Sequence, residues 1–253
     1  MFEASHLQHN IVSGYIQIVS GGHTLPAFWS HPDEGGTFPG LVMLHDGWGL
    51  TPSIRSQARR FAEQGYYVVA PDLFNRQVAE SPVQTQALIA QAGEVALAQV
   101  NVALRALRTH HKCNAKIGLI GWGWGGQLAL QAAVFHDDLR ALVVFYRLPD
   151  DLPPAELRLV SGPLLAIFGA QDPASPPEAV ERLRQALAGA GIAGQVIAYP
   201  DAGHDFFDDS RPAFVPGAAH DAWKNVLKFL NEHLEVPPRA APGPSQSDPG
   251  DTA

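Results

Sequence analysis

The sequence predicts an α/β fold with a mostly parallel, doubly wound sheet and helices on both of its faces. Apolar runs alternate with helical patterns along most of the chain, as they do where crossover helices join parallel strands. Several of the runs are continuously apolar, which is typical of strands covered on both faces. With 253 residues, 46% of them hydrophobic, the chain can bury one substantial core. We therefore assign residues 1–235 to one domain.

Eight runs of apolar and β-branched residues predict the strands of this sheet. The first two flank Gly21 and Gly22 and predict an antiparallel hairpin at the sheet edge. The others are expected in the parallel part of the sheet. The predicted strands are 15–19, 25–29, 39–45, 66–70, 117–120, 140–146, 163–169 and 195–199.

Apolar residues three and four positions apart predict helices at 53–64, 83–108 and 128–135. Gly65 directly follows the first of these and is a good residue to end it. Gly93 interrupts the second, where we expect a kink or a break.

Two further helices are predicted in the last third of the chain. Ser175 and Glu178 have the spacing of a capping box, so we expect Ser175 to cap the first of them. The second spans 219–234 and is amphipathic. The residues expected on the inward faces are Val180, Leu183 and Leu187, and then Trp223, Leu227, Leu230 and Leu234.

Composition excludes several classes of partner. Seventeen basic against 25 acidic residues give a net charge of −8 without a basic stripe, which argues against nucleic acid and anionic membranes as partners. The chain shows neither a signal-peptide pattern nor an apolar run long enough to span a membrane, so we expect a cytoplasmic protein. One cysteine, Cys113, permits neither an internal disulfide nor a cysteine-based metal site.

The end of the chain differs in composition from the rest. Residues 236–253 contain five prolines together with Gly, Ser and Asp, and almost no apolar residue. Such a segment cannot bury enough apolar surface to offset the entropy of ordering it. We expect a disordered, proline-rich tail.

The turn between strand 117–120 and the following helix has the pattern of a nucleophile elbow. This motif, G-x-Nu-x-G, places the nucleophile on a strained turn between small neighbours, so that strand and helix can pack closely. Gly121 and Gly125 occupy the outer positions, and Gly123 occupies the centre. The elbow is therefore predicted, while the position of its nucleophile is vacant.

Asp172 and His204 follow successive predicted strands, in the order acid then histidine that this kind of triad has. A histidine oriented by a buried carboxylate is a general base. Both residues and Gly123 come after strands, at the sheet edge where doubly wound folds bind ligands. The alternative is that His204 only hydrogen-bonds within its loop.

Taken together, these motifs resemble those of the dienelactone hydrolase family, the carboxymethylenebutenolidase-like branch of the α/β-hydrolases. The resemblance covers roughly residues 10–235. It rests on the segments 44–50 (LHDGWGL), 65–73 (GYYVVAPDL), 121–126 (GWGWGG) and 202–207 (AGHDFF), on Asp172, and on the Ser-Arg-Pro sequence at 210–212.

The resemblance implies an α/β-hydrolase fold and the hydrolysis of small esters or lactones. The family elbow reads G-x-C-x-G-G, so this chain departs from it at the cysteine nucleophile, where it has Gly123. The family has a glutamate at the position of Asp46, where it contacts the resting nucleophile. An oxyanion hole is implied from the backbone N–H groups of Trp124 and Gly47. Arg211 is implied as a partner for a substrate carboxylate, the alternative being a surface residue paired with a nearby aspartate.

Other residues do not replace the missing nucleophile convincingly. Cys113 precedes the elbow strand, at its far end, and fits a small buried apolar residue. Ser175 is better explained as a helix cap. Asp46 could attack as a carboxylate, but no feature of the sequence makes it face the scissile bond.

The remaining candidates are pocket and metal residues. Aromatic side chains at Trp48, Trp122, Trp124 and Tyr146 either line a substrate pocket or belong to the core. Potential metal ligands occur at His45, Asp46, His204 and Asp205, but their spacing matches no known metal site. We predict neither a metal nor a cofactor.

Two functions remain open from the sequence. The first is a slow ester or lactone hydrolase in which His204, supported by Asp172, activates a water in the space at Gly123. The second is a non-catalytic protein, a pseudoenzyme, that binds a small ester, lactone or carboxylate on a hydrolase fold. Retention of both His204 and Asp172 favours the first.

Overall fold

The structure, a computed structural model of the chain, describes residues 8–146, 157–160 and 162–236. Its strands form one mixed sheet. They are β1 (Ile11–Ser20), β2 (His23–Pro32), β3 (Phe38–Leu44), β4 (Tyr67–Pro71), β5 (Cys113–Trp122), β6 (Ala141–Phe145), β7 (Leu164–Gly169) and β8 (Gly194–Tyr199). The helices are α1 (Pro52–Glu63), α2 (Pro82–Ala92), α3 (Val95–Thr109), α4 (Trp124–Ala133), α5 (Pro177–Ala190) and α6 (Pro216–Leu234).

The strands are ordered β1-β2-β4-β3-β5-β6-β7-β8 across the sheet. β1 pairs antiparallel with β2, and β2 pairs antiparallel with β4, while the pairs from β4 to β8 are parallel. The predicted edge hairpin and the parallel, doubly wound sheet are both confirmed. Since parallel strands share one direction, the loops that follow β3, β5, β7 and β8 meet at one edge of the sheet.

Two hydrophobic clusters cover the two faces of the sheet. One packs α3, α4 and α5 against the sheet through residues such as Leu104, Leu130 and Leu183. The other packs α1 and α6 against the opposite face through residues such as Phe61 and Phe229. This burial on both faces explains why the inner strands are continuously apolar.

The glycine signals in the helices are confirmed. Gly65 follows α1 with a φ of +95°, and Gly93 separates α2 from α3 with a φ of +45°. The two helices flanking Gly93 are bent by 74°. In the described part of the chain no single helix has the length and hydropathy to span a membrane, and α2 and α3 reach them only as this bent pair.

The predicted helix cap at Ser175 is wrong. Helix α5 has Pro176 at its N-cap position, without a side-chain capping bond. The buried Ser175 hydroxyl instead donates to the Tyr146 carbonyl at 2.9 Å. Its partner lies 29 residues away in the chain, beyond the reach of a local capping pattern. The predicted inward residues of α5 are nevertheless buried.

Of the inward residues predicted for α6, Leu230 and Leu234 are buried as expected, but the centre of the buried face is rotated. Ala222, Val226 and Phe229 lie at the buried centre, and Trp223 and Leu227 are only partly buried at its margin. Val236, the first residue of the predicted tail, packs against the same cluster. The rest of the predicted tail lies outside the described residues.

Candidate active site

The elbow is formed between β5 and α4, with Gly123 at the turn. Gly123 has φ +50° and ψ −118°, and its N–H donates to the Phe145 carbonyl at 2.9 Å. A Cβ on Gly121 would overlap the Gly125 carbonyl, and a Cβ on Gly125 would overlap the Leu44 and His45 carbonyls. The outer glycines are therefore required by close backbone packing, whereas the central one is not.

The position vacated at Gly123 faces Asp46. A Cβ built on Gly123 would lie 3.7 Å from the Asp46 Cβ, an ordinary van der Waals distance, and within 4 Å it would meet no other atom of the described residues outside its chain neighbours. A side chain at position 123 therefore fits sterically. This proximity agrees with the contact that the family resemblance implied for residue 46, and the pairing of β3 with β5 brings it about.

Asp172 and His204 form the predicted pair. Asp172 lies just after β7, His204 lies in the loop after β8, and the His204 Nδ1–Asp172 Oδ2 distance is 2.7 Å. The other Asp172 oxygen accepts the Ala174 N–H at 2.9 Å, which fixes the carboxylate. Asp172 is buried with 2% of its side chain exposed, but His204 is 46% exposed. A buried acceptor thus orients a histidine whose side chain is nearly half exposed.

The hydrogen bond to Asp172 raises the pKa of His204, because it stabilises the imidazolium. Partial burial of the ring opposes this shift, and the nearby carboxylates of Asp205 and Asp46 add to it. Asp205 Oδ1 lies 3.5 Å from His204 Nε2. From the sequence Asp205 was a candidate metal ligand only, although its position beside His204 in the chain was a signal for this contact.

Asp46 is poised to titrate near neutral pH. Burial raises the pKa of its carboxyl to about 7, and the Trp48 N–H, which donates to Oδ1 at 2.8 Å, opposes the shift. The carboxylates of Asp205 and Asp208 raise this pKa further, while Arg211 lowers it. A carboxyl that exchanges a proton near pH 7 therefore lies beside the vacant position.

Arg211 lies over the ring of Trp48, with its Cζ 4.1 Å from the ring centroid. Its Nε is 3.7 Å from Asp208 Oδ2, which is too long for a hydrogen bond. Asp208 Oδ1 is instead engaged by the hydroxyls of Ser53 and Ser210, each at 2.7 Å. The guanidinium is thus placed by stacking, and its donors are not consumed by Asp208.

The aromatic candidates divide between the core and the site. Trp122 is 4% exposed and stacks on Phe145 at 5.4 Å, so it belongs to the core. Tyr146 is also buried, but its ring lies 5.0 Å from that of His204, and its hydroxyl accepts the Phe207 N–H at 2.8 Å. Trp48 is partly exposed. Tyr146 and Trp48 therefore border the site, whereas Trp122 packs in the core next to Phe145.

The two predicted oxyanion donors lie at the ends of paired strands. Trp124 is the first residue of α4, so its N–H has no carbonyl to bond within the helix. Gly47 follows β3, and a Cβ there would overlap the Thr85 methyl group. Helix α2 thus packs directly on the Gly47 backbone and holds that loop.

The Trp124 indole takes no part in the proposed oxyanion hole. It stacks on Phe74 at 5.2 Å and lines a cavity of about 610 Å³ together with Ile89, Leu97 and Leu128. The cavity lies between α4 and the junction of α2 with α3. An apolar space therefore adjoins the elbow on the side of the Trp124 ring.

His45 and Cys113 are not available for the chemistry of the site. His45 is fully buried, its Nδ1–H donates to the Asp46 carbonyl at 2.7 Å, and its Nε2 accepts the Leu73 N–H at 3.1 Å. Burial lowers the pKa of His45 and raises that of Cys113. Cys113 begins β5, roughly 25 Å from the elbow, because the residues from Cys113 to Gly121 span only the length of Phe38 to Leu44 on β3. In the part of the chain that the structure describes, no three His, Cys, Asp or Glu side chains could together hold a metal ion.

Comparison with known proteins identifies the family to which this chain belongs. The model of the dienelactone hydrolase family matches residues 25–234. The chain belongs to the dienelactone hydrolase family. Proteins provisionally named carboxymethylenebutenolidases, from Escherichia coli K12 and Yersinia pestis, are 30% and 32% identical to it. The first match covers 88% of both chains, and the second covers 89% of this chain and 90% of the relative.

The fold agrees with solved members of the dienelactone hydrolase family. The crystal structure of a provisionally assigned dienelactone hydrolase from Klebsiella pneumoniae matches with a TM-score of 0.79 at 27% identity. The match covers 88% of this chain and all of that one. The α/β-hydrolase fold implied by the sequence is confirmed.

Proposed function

We propose that this member of the dienelactone hydrolase family hydrolyses small esters or lactones, using a water activated by His204 and Asp172 in the space left open at Gly123. The observation that supports this most strongly is the 2.7 Å contact between the two side chains, retained beside an elbow that has no nucleophile. Turnover is expected to be slow, because water replaces the cysteine thiolate.

The pair has the asymmetry that a general base needs. With Nδ1–H donated to the buried Asp172, the lone pair of His204 lies on Nε2, on the accessible side of the ring. Asp172 also stabilises the imidazolium that forms when Nε2 takes a proton. The raised pKa of His204 makes it a stronger base than free imidazole.

The reaction proceeds in two steps. Water oxygen attacks the carbonyl carbon as His204 Nε2 takes one of its protons, giving a tetrahedral oxyanion that the N–H groups of Trp124 and Gly47 stabilise. The carbon–oxygen bond to the leaving group then breaks, and the leaving alkoxide takes the proton from Nε2. An ester gives an acid and an alcohol, and a lactone gives one hydroxy acid.

The rate is limited by the missing covalent step. Enzymes of this kind that lose their nucleophile retain roughly 10³ to 10⁴-fold acceleration over water from the oxyanion hole and binding. We therefore expect steady, slow turnover without a burst of product and without an acyl-enzyme.

Arg211 is proposed to bind a carboxylate on the substrate. Its stacking on Trp48 orients the planar guanidinium while leaving donors for a bidentate contact. Protonation of Asp46, whose pKa is about 7, lowers the negative charge that such a ligand meets. The favoured substrates are thus small esters or lactones that bear a carboxylate.

One observation favours a second function, a binder without turnover. Gly123 offers no attacking atom, and the pocket residues Trp48, Arg211 and Tyr146 would hold a ligand equally well without chemistry. The two functions differ in whether His204 affects the rate of hydrolysis.

A panel of aryl esters and small lactones, with and without a carboxylate, distinguishes the two functions. We expect His204→Ala to lower the rate by roughly 10²-fold or more, the usual contribution of a general base, and the exposed His23→Ala to leave it unchanged as a matched control. Equal rates in wild type, His204→Ala and buffer would overturn the hydrolase proposal. Saturable quenching of tryptophan fluorescence by the same compounds would then indicate the binder.

A further inference from the structure

The outer edge of β1 is open in the structure. β1 is the first strand in the order of the sheet, and no other strand of the described residues pairs with its outer side. The strand is ten residues long, IVSGYIQIVS, and contains neither a charged residue nor a proline. Proteins commonly protect exposed edge strands with charged residues or proline, or by keeping the strands short. This edge therefore lacks the usual protection.

The opposite edge of the sheet contrasts with it. β8 has only six residues, and its Val196 carbonyl already accepts a hydrogen bond from Arg184 at 3.2 Å. A short edge with an engaged carbonyl is a poor template for another strand. Of the two edge strands, β1 is thus the longer one and the better template for pairing with another strand.

The backbone groups that face outward from β1 follow from its pairing with β2. Gln17 lies opposite Pro26, which has no N–H and whose carbonyl accepts the Asp72 N–H at 2.8 Å on the other side of β2. Gln17 and Pro26 are therefore a non-hydrogen-bonded pair. At the even positions the bonds go to β2, as the Asp33 N–H to Asn10 carbonyl bond of 2.7 Å shows.

Because antiparallel pairs alternate, every odd-numbered residue of β1 directs its N–H and C=O away from β2. These outward residues are Ile11, Ser13, Tyr15, Gln17 and Val19. The side chains of Ser13, Tyr15, Gln17 and Val19 are exposed, with Tyr15 at 67% and Val19 at 70%. Half of the hydrogen-bonding groups of a long strand are thus left for another partner.

We infer that β1 pairs antiparallel with β1 of a second copy of the chain, so that one sheet runs through both copies. The two-fold axis passes midway between the two Tyr15 residues, which lie opposite each other. A two-fold axis perpendicular to the sheet keeps equivalent helices of the two copies on the same face. Directly opposed side chains of an antiparallel pair also share a face, so one residue of β1 must lie opposite its own copy. Among the outward residues, Tyr15 is the one nearest the middle of the strand and gives the longest overlap.

This register is chemically self-complementary. Apolar residues meet apolar ones, and polar residues meet polar ones, without opposed charges. The pairs are Ile11 with Val19, Val12 with Ile18, Ser13 with Gln17, Gly14 with Ile16, and Tyr15 with itself. Arg55 and Arg59 lie over rings on the face of the hairpin, and Arg59 Nε donates to the Ser13 hydroxyl at 3.3 Å, a side-chain contact that does not use the backbone groups of β1.

The first test is the mass of the full chain in solution, by light scattering over a range of concentrations. We expect a dimer for wild type and for Gln17→Ala, which keeps the backbone N–H. Gln17→Pro should be a monomer, because proline removes an outward donor without removing a bond to β2. A cooperative thermal transition and matching circular dichroism spectra for the two variants would show that both are folded. A monomeric wild type at every concentration, or a dimeric Gln17→Pro, would overturn the inference.

The second test examines the register. In the proposed pairing the two Tyr15 Cα atoms lie about 5.5 Å apart, within reach of a disulfide. The two Val19 Cα atoms lie roughly 27 Å apart, at the usual rise per residue. Under oxidising conditions Tyr15→Cys should give a covalent dimer and Val19→Cys should not. Equal cross-linking of the two variants would overturn the register, and the buried Cys113 serves as the internal control in wild type.

Discussion

Restoring a nucleophile by Gly123→Cys tests the geometry of the elbow most directly. Gly123 has a φ of +50°, which costs about 1–3 kcal/mol for a residue with a Cβ. The Cβ itself adds no clash, since its nearest neighbour would be the Asp46 Cβ at 3.7 Å. The expected loss of stability is therefore the backbone term alone, or a fall of roughly 2–12 °C in melting temperature for a domain of this size.

Two matched variants separate this strain from other effects. Gly123→Ala should lose as much stability as Gly123→Cys, because both acquire the same strained Cβ. Gly121→Ala should lose much more, because its Cβ would overlap the Gly125 carbonyl. Calorimetric or circular dichroism melting curves measure all three. A Gly123→Ala protein as stable as wild type would refute the assignment of strain to this turn.

The new thiol should also be reactive. We expect the thiol to lie beside His204, where pairing with an imidazolium favours the thiolate. One burst of product from an activated ester, with a covalent adduct at position 123, should follow. Mass spectrometry of the peptide locates the adduct, and wild type, whose Cys113 is buried, is the control. A folded variant that binds ester-sized ligands but stays unlabelled would show that the elbow does not present its side chain to the pocket.

Three further predictions follow from the site and the chain end. Because burial raises the pKa of Asp46 to about 7 in the folded protein, the free energy of unfolding falls as the pH rises from the ordinary carboxyl pKa toward 7. The free energy of unfolding of Asp46→Asn should therefore gain up to about 2–3 kcal/mol on that of wild type between pH 5 and pH 8. Equal differences in urea unfolding at the two pH values would contradict this. The raised pKa of His204 should place the acid limb of kcat/KM above pH 6.5, and Asp172→Asn should lower the His204 pKa seen by NMR titration; an unmoved titration would disprove the coupling. Deleting residues 237–253 should leave the melting temperature within a few degrees, whereas a deletion that also removes Val236, which packs on the core, should lower it further.

Much of the fold could be predicted because its signals are local. Continuous apolar runs marked the buried strands, and Gly65 and Gly93 marked helix ends at which positive φ was required. The order of Asp172 and His204 along the chain was enough to predict their contact, because the loops after β7 and β8 follow neighbouring parallel strands.

What could not be predicted depended on contacts between distant segments. The hydroxyl of Ser175 matched a capping pattern but bonds the Tyr146 carbonyl at the end of another strand. The family resemblance implied that residue 46 contacts the nucleophile position, but its distance from Gly123 depends on the pairing of β3 with β5. Trp122 packs in the hydrophobic cluster beneath α1 and α6 rather than in the pocket. An unbroken apolar run does not show toward which face of the sheet a given side chain points.

The backbone conformation at Gly123 also shapes how this sequence can evolve. Every amino acid other than glycine is strained at a φ of +50°, so glycine is the most relaxed occupant of the turn. A single base substitution can convert a glycine codon into a cysteine codon, yet the resulting chain loses stability before its thiol contributes any catalysis. Under selection for stability alone the vacant elbow is therefore a local optimum, and only selection for turnover would favour leaving it.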